Sequence, residues 1–230
     1  MIFYLDSGNK EMCCGCRACE MVCPINCIEM VEDTEGFLYP LRHDDLCIDC
    51  GLCQNICPFI QKQKIDHVQL ESLPKAFLAI HKDENTVFNS ASGGVFSAVA
   101  NAFCIKNFVI FGVQFDEQLK VIHSYVHSLD EIGKYRKSKY VQSNIKDTYK
   151  KVEAFLRTGK DVLFTGTPCQ NAGLRLYLRK EYENLLCVDL VCHGVPSQRT
   201  FDKYINYLQK KYGGKVTQFS LHISFANNLC

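Results

Sequence analysis

Residues 13–24 read CCGCRACEMVCP and residues 47–58 read CIDCGLCQNICP. Laid over each other, the two stretches agree at every cysteine gap. Both follow C-x2-C-x2-C-x3-C-P, through Cys13, Cys16, Cys19 and Cys23 before Pro24, and through Cys47, Cys50, Cys53 and Cys57 before Pro58. Ten of the 15 cysteines in this 230-residue chain fall between positions 13 and 57. Disulfide scaffolds scatter cysteines over small secreted chains, whereas tandem runs with two-residue gaps suit ligation. A tetrahedral zinc site needs four ligands and has no use for a duplicated run of this kind.

The spacing is that of bacterial ferredoxins, in which the fourth cysteine of each run ligates the other cluster. Three thiolates on one tight loop each reach a different iron of a cube, and the proline turns the chain so that the fourth thiolate meets the neighbouring cube. Two 4Fe-4S clusters are therefore expected. Cluster I takes Cys13, Cys16, Cys19 and Cys57, and cluster II takes Cys47, Cys50, Cys53 and Cys23. Between the runs, CIEMVEDTEGFLYPL reads as a hairpin turning at Glu35-Gly36. Cys14 and Cys27 lie off the spacing and read as small packing residues.

Bulk composition sets the surroundings. Apolar residues make up 47% and charged residues 22%, enough for a buried core, and 26 basic against 25 acidic side chains leave a formal charge of +1. Such balance gives no field to draw the chain onto nucleic acid or an anionic membrane. MIFYLDSGNKEM has neither the basic start nor the apolar stretch of a signal peptide, and no apolar run reaches the roughly 18 residues of a membrane span. A protein of the reducing cytoplasm is expected.

The first module is assigned to 1–60 and the polar stretch 61–75, QKQKIDHVQLESLPK, to a linker. From 76 onward apolar runs alternate with helix-period segments. Strands are expected at AFLAIH (76–81), FVIFGVQF (108–115), LKVIHSYV (119–126), DVLFTG (161–166) and LLCVDLVCHG (185–194). Helices are expected near 94–106, 129–137 and 147–158, from Pro168, and over 197–212. This alternation predicts an α/β domain with a mostly parallel sheet, behind an α+β ferredoxin-like two-cluster module.

Two strand-to-helix turns are candidate anion sites. In DVLFTGTPCQNAGLR, Thr167 stands at the N-cap and Pro168 in the first turn, leaving backbone N–H groups for an anion. In SASGGVFSAV, Ser92 is the candidate cap and Gly93-Gly94 permit close backbone approach. Neither G-x-G-x-x-G nor G-x4-G-K-[ST] occurs. Cys169 at a helix N-terminus is expected to have a lowered pKa, and with Cys192 and His193 it is a candidate for cysteine catalysis. Lys134, Arg136, Lys137 and Lys139 form a basic run suited to an anionic cofactor or an acidic partner.

In order, the doubled cysteine motif with EGFLYP (35–40), SASGGVFSA (90–98), KYVQS (139–143), FTGTPCQNAGLR (164–175) and DLVCHGVPS (189–197) resemble the coenzyme F420 hydrogenase/dehydrogenase beta-subunit family. The resemblance implies that 76–230 is an FAD-binding domain, incomplete at its C-terminus because family members usually continue further. FAD is implied near Ser92, Gly93 and Gly94, near Lys139, Gln142 and Ser143, and near Thr167, Pro168, Cys169 and Gln170. The loop at Cys192, His193 and Gly194 is implied beside the flavin ring or its substrate. The expected function is electron transfer between two 4Fe-4S clusters and FAD, coupling a ferredoxin or a hydrogenase/dehydrogenase subunit to F420 or another two-electron acceptor. A bicluster electron-transfer subunit that docks a partner without catalytic flavin is the alternative.

Overall fold

The computed structural model describes residues 3–65 and 74–220. The N-terminal module starts with α1 (Tyr4–Ser7) and a 3-10 turn at Lys10–Met12, then α2 (Ala18–Val22), the strands β1 (Ile28–Glu32) and β2 (Leu38–Arg42), and the helices α3 (Leu52–Asn55) and α4 (Pro58–Ile65). β1 and β2 pair antiparallel from Ile28 opposite Arg42 to Glu32 opposite Leu38. Asp33 shapes the turn between them. Its carbonyl accepts the Gly36 N–H at 3.0 Å and its carboxylate accepts the N–H groups of Glu35 and Phe37, each at 2.9 Å. Helix α4 carries the chain past the expected module end at 60, and positions 66–73 of the expected linker lie outside the described residues.

The second module is built from α5 (Glu84–Phe88), α6 (Val95–Phe103), β3 (Phe108–Phe115), β4 (Val121–Val126), a 3-10 segment at Leu129–Tyr135, α7 (Thr148–Arg157), β5 (Asp161–Gly166), α8 (Pro168–Leu178), β6 (Leu185–Asp189) and α9 (Gln198–Tyr212). Its sheet has the order β4-β3-β5-β6. β3 pairs parallel with β5, and β5 with β6, while β3 and β4 form an antiparallel hairpin. The sheet is thus mixed and mostly parallel. The hairpin follows from a short connection, since Asp116 accepts the N–H groups of Gln118 and Lys120 and closes the turn.

Alternation along the central strands divides the core into two layers. Val109, Phe111, Val162 and Phe164 face Tyr149, Val152 and Leu156 of α7 and Leu174 and Leu178 of α8. Ile110 and Leu163 face Ala100 of α6, Cys104, Ile132 and Tyr135. Both faces are covered, which explains why β3 and β5 read as continuous apolar runs. Gly112 lets the Tyr135 ring lie on β3, because a Cβ there would stand 2.5 Å from the ring.

Two expected strands change. Residues 76–81 form no strand. Phe77, Leu78 and Ile80 are exposed there, and the His81 N–H bonds the Gly93 carbonyl at 2.7 Å. β6 ends at Asp189, so the expected strand through 194 is cut short and Leu190–Gly194 leave the sheet.

The modules share one core. Cys16, Ala18, Met21, Val22 and Ile56 belong to the same cluster as the α7 and α8 side chains. Polar contacts reinforce the junction. Ser197 Oγ donates to the Glu35 carbonyl at 2.5 Å, Arg199 Nη1 to the Thr34 carbonyl at 2.9 Å, and the Leu38 N–H to Gln142 Oε1 at 3.3 Å. Arg17, held by Glu20 through two bonds, also donates to Asn144 Oδ1. No described helix is long and apolar enough to cross a membrane.

Candidate iron-sulfur and cofactor site

Two thiol-lined clefts flank the cysteine loops. One is lined by Cys13, Cys16, Cys19 and Cys57, with Cys14 beside them. The other is lined by Cys23, Cys47, Cys50 and Cys53, with Cys27 beside them. The fourth cysteine of each run therefore sits in the cleft of the other run. Left-handed backbone makes this possible: Gly15, Arg17, Asp49 and Gly51 all have positive φ, so each run coils tightly enough to face several sulfurs into one cleft. Among the described residues no three His, Cys, Asp or Glu groups converge to hold a single metal ion. The thiols line volumes instead, and their soft donor set matches iron-sulfur cubes.

Backbone donors already point at sulfur. The Gly15 N–H approaches Cys13 Sγ at 3.4 Å, and the Cys27 N–H approaches Cys23 Sγ at 3.3 Å. At Cys23, burial works against the thiolate, but hydrogen bonds from Cys27, Ile25 and Asn26 outweigh it and lower the pKa. Burial pushes Cys13 up to about 11. Such N–H···S bonds stabilise a metal-bound thiolate and raise the potential of its cluster. Cys27 is buried 3.4 Å from Cys23 Sγ, which agrees with a packing role.

The residues implied for a flavin separate into two groups. The first surrounds the N-terminus of α8. Gln170 Oε1 accepts the Thr167 N–H at 2.9 Å, Gln170 Nε2 donates to Ser143 Oγ at 2.9 Å, and Ser143 Oγ lies 3.1 Å from His123 Nδ1. Thr167 is the N-cap and Pro168 occupies the first turn, as read from the sequence. The N–H groups expected to be free are in part used: Thr167 N–H bonds Gln170, and Gln170 N–H bonds the Thr167 carbonyl. Cys169 also departs from expectation. Contact with the Cys14 thiol, together with burial, raises its pKa, overriding the helix terminus. Gln142 lies next to Ser143, but its side chain faces the N-terminal module.

Of the second group, Lys139 lines a cavity of about 500 Å3 together with Lys134, Arg136, Lys137, Phe115, Leu119 and Phe219, whereas Ser92, Gly93 and Gly94 are not among its lining residues. Lys139 Nζ donates to the carbonyls of Lys134, Arg136 and Lys137 at 2.8, 2.7 and 3.2 Å, so its ammonium staples the basic loop. Burial lowers its pKa to about 8. Arg136 Nε reaches Ser97 Oγ at 3.0 Å and ties this loop to α6. The cap of α6 is Gly94, in left-handed conformation, and not Ser92. Gly93 admits the chain's own backbone: a Cβ there would meet the Ala79 carbonyl at 2.6 Å. Cys192 and His193 lie in the exposed loop after β6, beside Gly194, and no hydrogen bond joins them to Cys169 among the described residues.

His123 had no signal in the sequence, being one histidine on an apolar strand. It is fully buried, stacked on Phe164 at 5.5 Å, and its Nε2–H donates to the Thr165 carbonyl at 3.3 Å. That bond makes Nδ1 the acceptor of the Ser143 hydroxyl and so fixes the orientation of the Ser143-Gln170 chain. Burial lowers its pKa from 6.5 to about 4. The unfolded chain then binds the extra proton first, so stability is full above 6.5 and is lost as pH falls toward 4. The expected loss is roughly 3 kcal/mol. Urea melts of the wild type and His123→Gln at pH 7 and pH 4 check this: their stability difference should narrow by that amount, and a pH-independent difference would contradict it.

Comparison with protein families matches residues 12–60 to a 4Fe-4S dicluster domain and residues 159–227 to the C terminus of the coenzyme F420 hydrogenase/dehydrogenase beta subunit. No curated protein matches the chain. The second match spans β5, α8, β6 and α9, the elements that carry Thr167–Gln170 and the loop at Cys192. An iron-sulfur domain docked on these elements thus stands beside a segment that is similar to the C terminus of the coenzyme F420 hydrogenase/dehydrogenase beta subunit.

Proposed function

We propose that this iron-sulfur protein of oxidoreductase type passes electrons between two 4Fe-4S clusters and FAD, coupling a one-electron donor such as a ferredoxin or a hydrogenase/dehydrogenase subunit to F420 or another two-electron acceptor. The observation that carries this reading is the shared core: Cys16, which lines one thiol cleft, packs directly on Gly173 of α8, where a Cβ would stand 3.1 Å from its sulfur. When bound, the clusters carry electrons singly and the flavin exchanges them singly or in pairs.

The chain's own residues have the following parts. Cys13, Cys16, Cys19 and Cys57 would hold one cluster and Cys47, Cys50, Cys53 and Cys23 the other, with the Gly15 and Cys27 N–H groups stabilising thiolate charge. Arg136, Lys137 and Lys134 would attract the flavin phosphates into the basic cavity, whose volume suits a nucleotide-sized anion. His123, Ser143 and Gln170 would keep the Thr167 turn rigid on the side facing the clusters. Arg17 and Gln142 tie the modules together across their junction.

One observation favours a second reading, a bicluster subunit without catalytic flavin. Several groups expected to hold phosphate, at Gly93, Lys139 and the Thr167 turn, are bonded or packed within the chain. Anaerobic purification with iron, sulfide and FAD measured on one sample separates the two. The flavoprotein reading expects about eight irons and one FAD per chain, and about eight irons with no FAD would leave the bicluster subunit.

A further inference from the structure

The two thiol clefts differ in what surrounds them. Cys16 of the first is buried against Gly173 of α8, whereas Cys50 of the second is exposed. Apolar side chains also stand in solvent around the second cleft. Ile25, Leu46 and Ile48 are 40%, 57% and 62% exposed, and Ile25 and Ile48 line the cleft itself. The loop explains this: coiling that turns the sulfurs of Cys47 and Cys50 inward leaves the residues between them facing out, with Asp49 in left-handed backbone at φ 50°. Charge around this surface is one-sided. Arg42, which lines the cleft, is taken up by Asp6 and Asp44 at 3.0 and 2.5 Å, and His43 meets Glu29 at 2.9 Å. Asp45 and Asp49 are exposed and enter no ion pair among the described residues. The whole chain carries a formal charge of +1, so this acidic field is local.

We propose that the surface of Ile25, Leu46 and Ile48, rimmed by Asp45 and Asp49, is the docking face for a redox partner protein whose own contact face is an apolar centre ringed by lysine or arginine. Redox encounters use small, transient contacts, which a few exposed apolar side chains with a charged rim supply. The inference rests on the electron-transfer reading above and narrows the partner within it. A partner face ringed by carboxylates is repelled by this rim, and a basic one is steered onto it and held in register.

The test uses the anaerobically purified, cluster-loaded full chain, with cytochrome c, a small redox protein whose haem edge is ringed by lysines, as the basic probe. Calorimetry at about 20 mM salt should show binding, weakened about tenfold by Asp45→Asn with Asp49→Asn, and the difference should vanish at about 0.5 M salt. Asparagine keeps the left-handed backbone that Asp49 adopts. Ile48→Ser should weaken binding about threefold at low salt without altering its salt dependence. Glu181→Gln with Glu183→Gln, an equal change of charge in the exposed turn after α8, should leave binding within about twofold of wild type. Carbodiimide coupling of the wild type to the probe, which joins carboxylate to amine with loss of water, should place the cross-link in the tryptic peptide 43–62. That readout decides even where a variant loses iron. No binding at low salt, an equal loss in both double variants, or cross-links confined to peptide 181–199 overturns the proposal. Those failures with about eight irons in place strike the docking face alone, whereas a wild type without iron strikes the electron-transfer reading and the docking face with it.

Discussion

Cys57→Ala is expected to lower iron from about eight to about four per chain, and adding Cys16→Ala to it should lower iron no further. Both residues line the same cleft although they come from different runs. Cys13 and Cys19 line that cleft with them. Adding Cys53→Ala to Cys57→Ala should instead abolish both clusters, because Cys53 lines the other cleft with Cys23 and Cys47. Assignment of each run to its own cluster predicts the reverse. Under it, Cys53 with Cys57 would leave about four irons, and Cys16 with Cys57 would leave none. Iron and acid-labile sulfide on the three proteins decide between the two ligand sets.

Gly36→Ala is expected to destabilise the protein by about 3 kcal/mol. Gly36 turns the β1-β2 hairpin with φ +86°, where a side chain costs about 1–2 kcal/mol. Its added Cβ would also stand 2.3 Å from Arg199 Cβ, a position fixed by α9. Relieving that overlap lifts the hairpin away from the Ser197 hydroxyl and the Arg199 guanidinium that bond its carbonyls, each bond contributing about 1 kcal/mol. The expected fall in Tm is about 6–12 °C. Gly133→Ala is the comparison: a Cβ there meets nothing within 4 Å, and its melt should stay within about 2 °C of wild type. A Gly36→Ala melt equal to that of Gly133→Ala would show that the hairpin does not bear on α9.

These effects indicate what the sequence could carry. Repeated cysteine spacing is a local pattern, and its consequence, two clefts with exchanged fourth cysteines, follows from loop geometry alone. The α8 cap was readable for the same reason, because Thr167, Pro168 and Gln170 act within one turn. The run AFLAIH misled because apolar content marks a strand only when another strand pairs with it, and here the backbone meets the Gly93 turn. The antiparallel β3-β4 hairpin was signalled by the short Asp116–Lys120 connection, a better guide than the α/β alternation around it.

Site chemistry was less legible, for physical reasons that act across sequence distance. A cysteine at a helix N-terminus is expected to ionise easily, yet Cys169 meets Cys14 from the other module and is shifted the other way. Lys139 stands in a basic run that suggests anion binding, but its ammonium closes on three carbonyls of its own loop. His123 gave no pattern, since one histidine on a strand is informative only once Phe164, Thr165 and Ser143 surround it. Docking of the modules through Gly36, Arg17 and Gln142 was equally hidden.

The most direct test of electron passage between the modules is an anaerobic dithionite titration of the purified protein, followed by visible absorbance. Two clusters accepting one electron each and one flavin accepting two predict an uptake of about four electrons per chain, with flavin bleaching alongside the cluster bands. An uptake of about two electrons with no flavin band would contradict the flavoprotein account, and no uptake would contradict the iron-sulfur assignment itself.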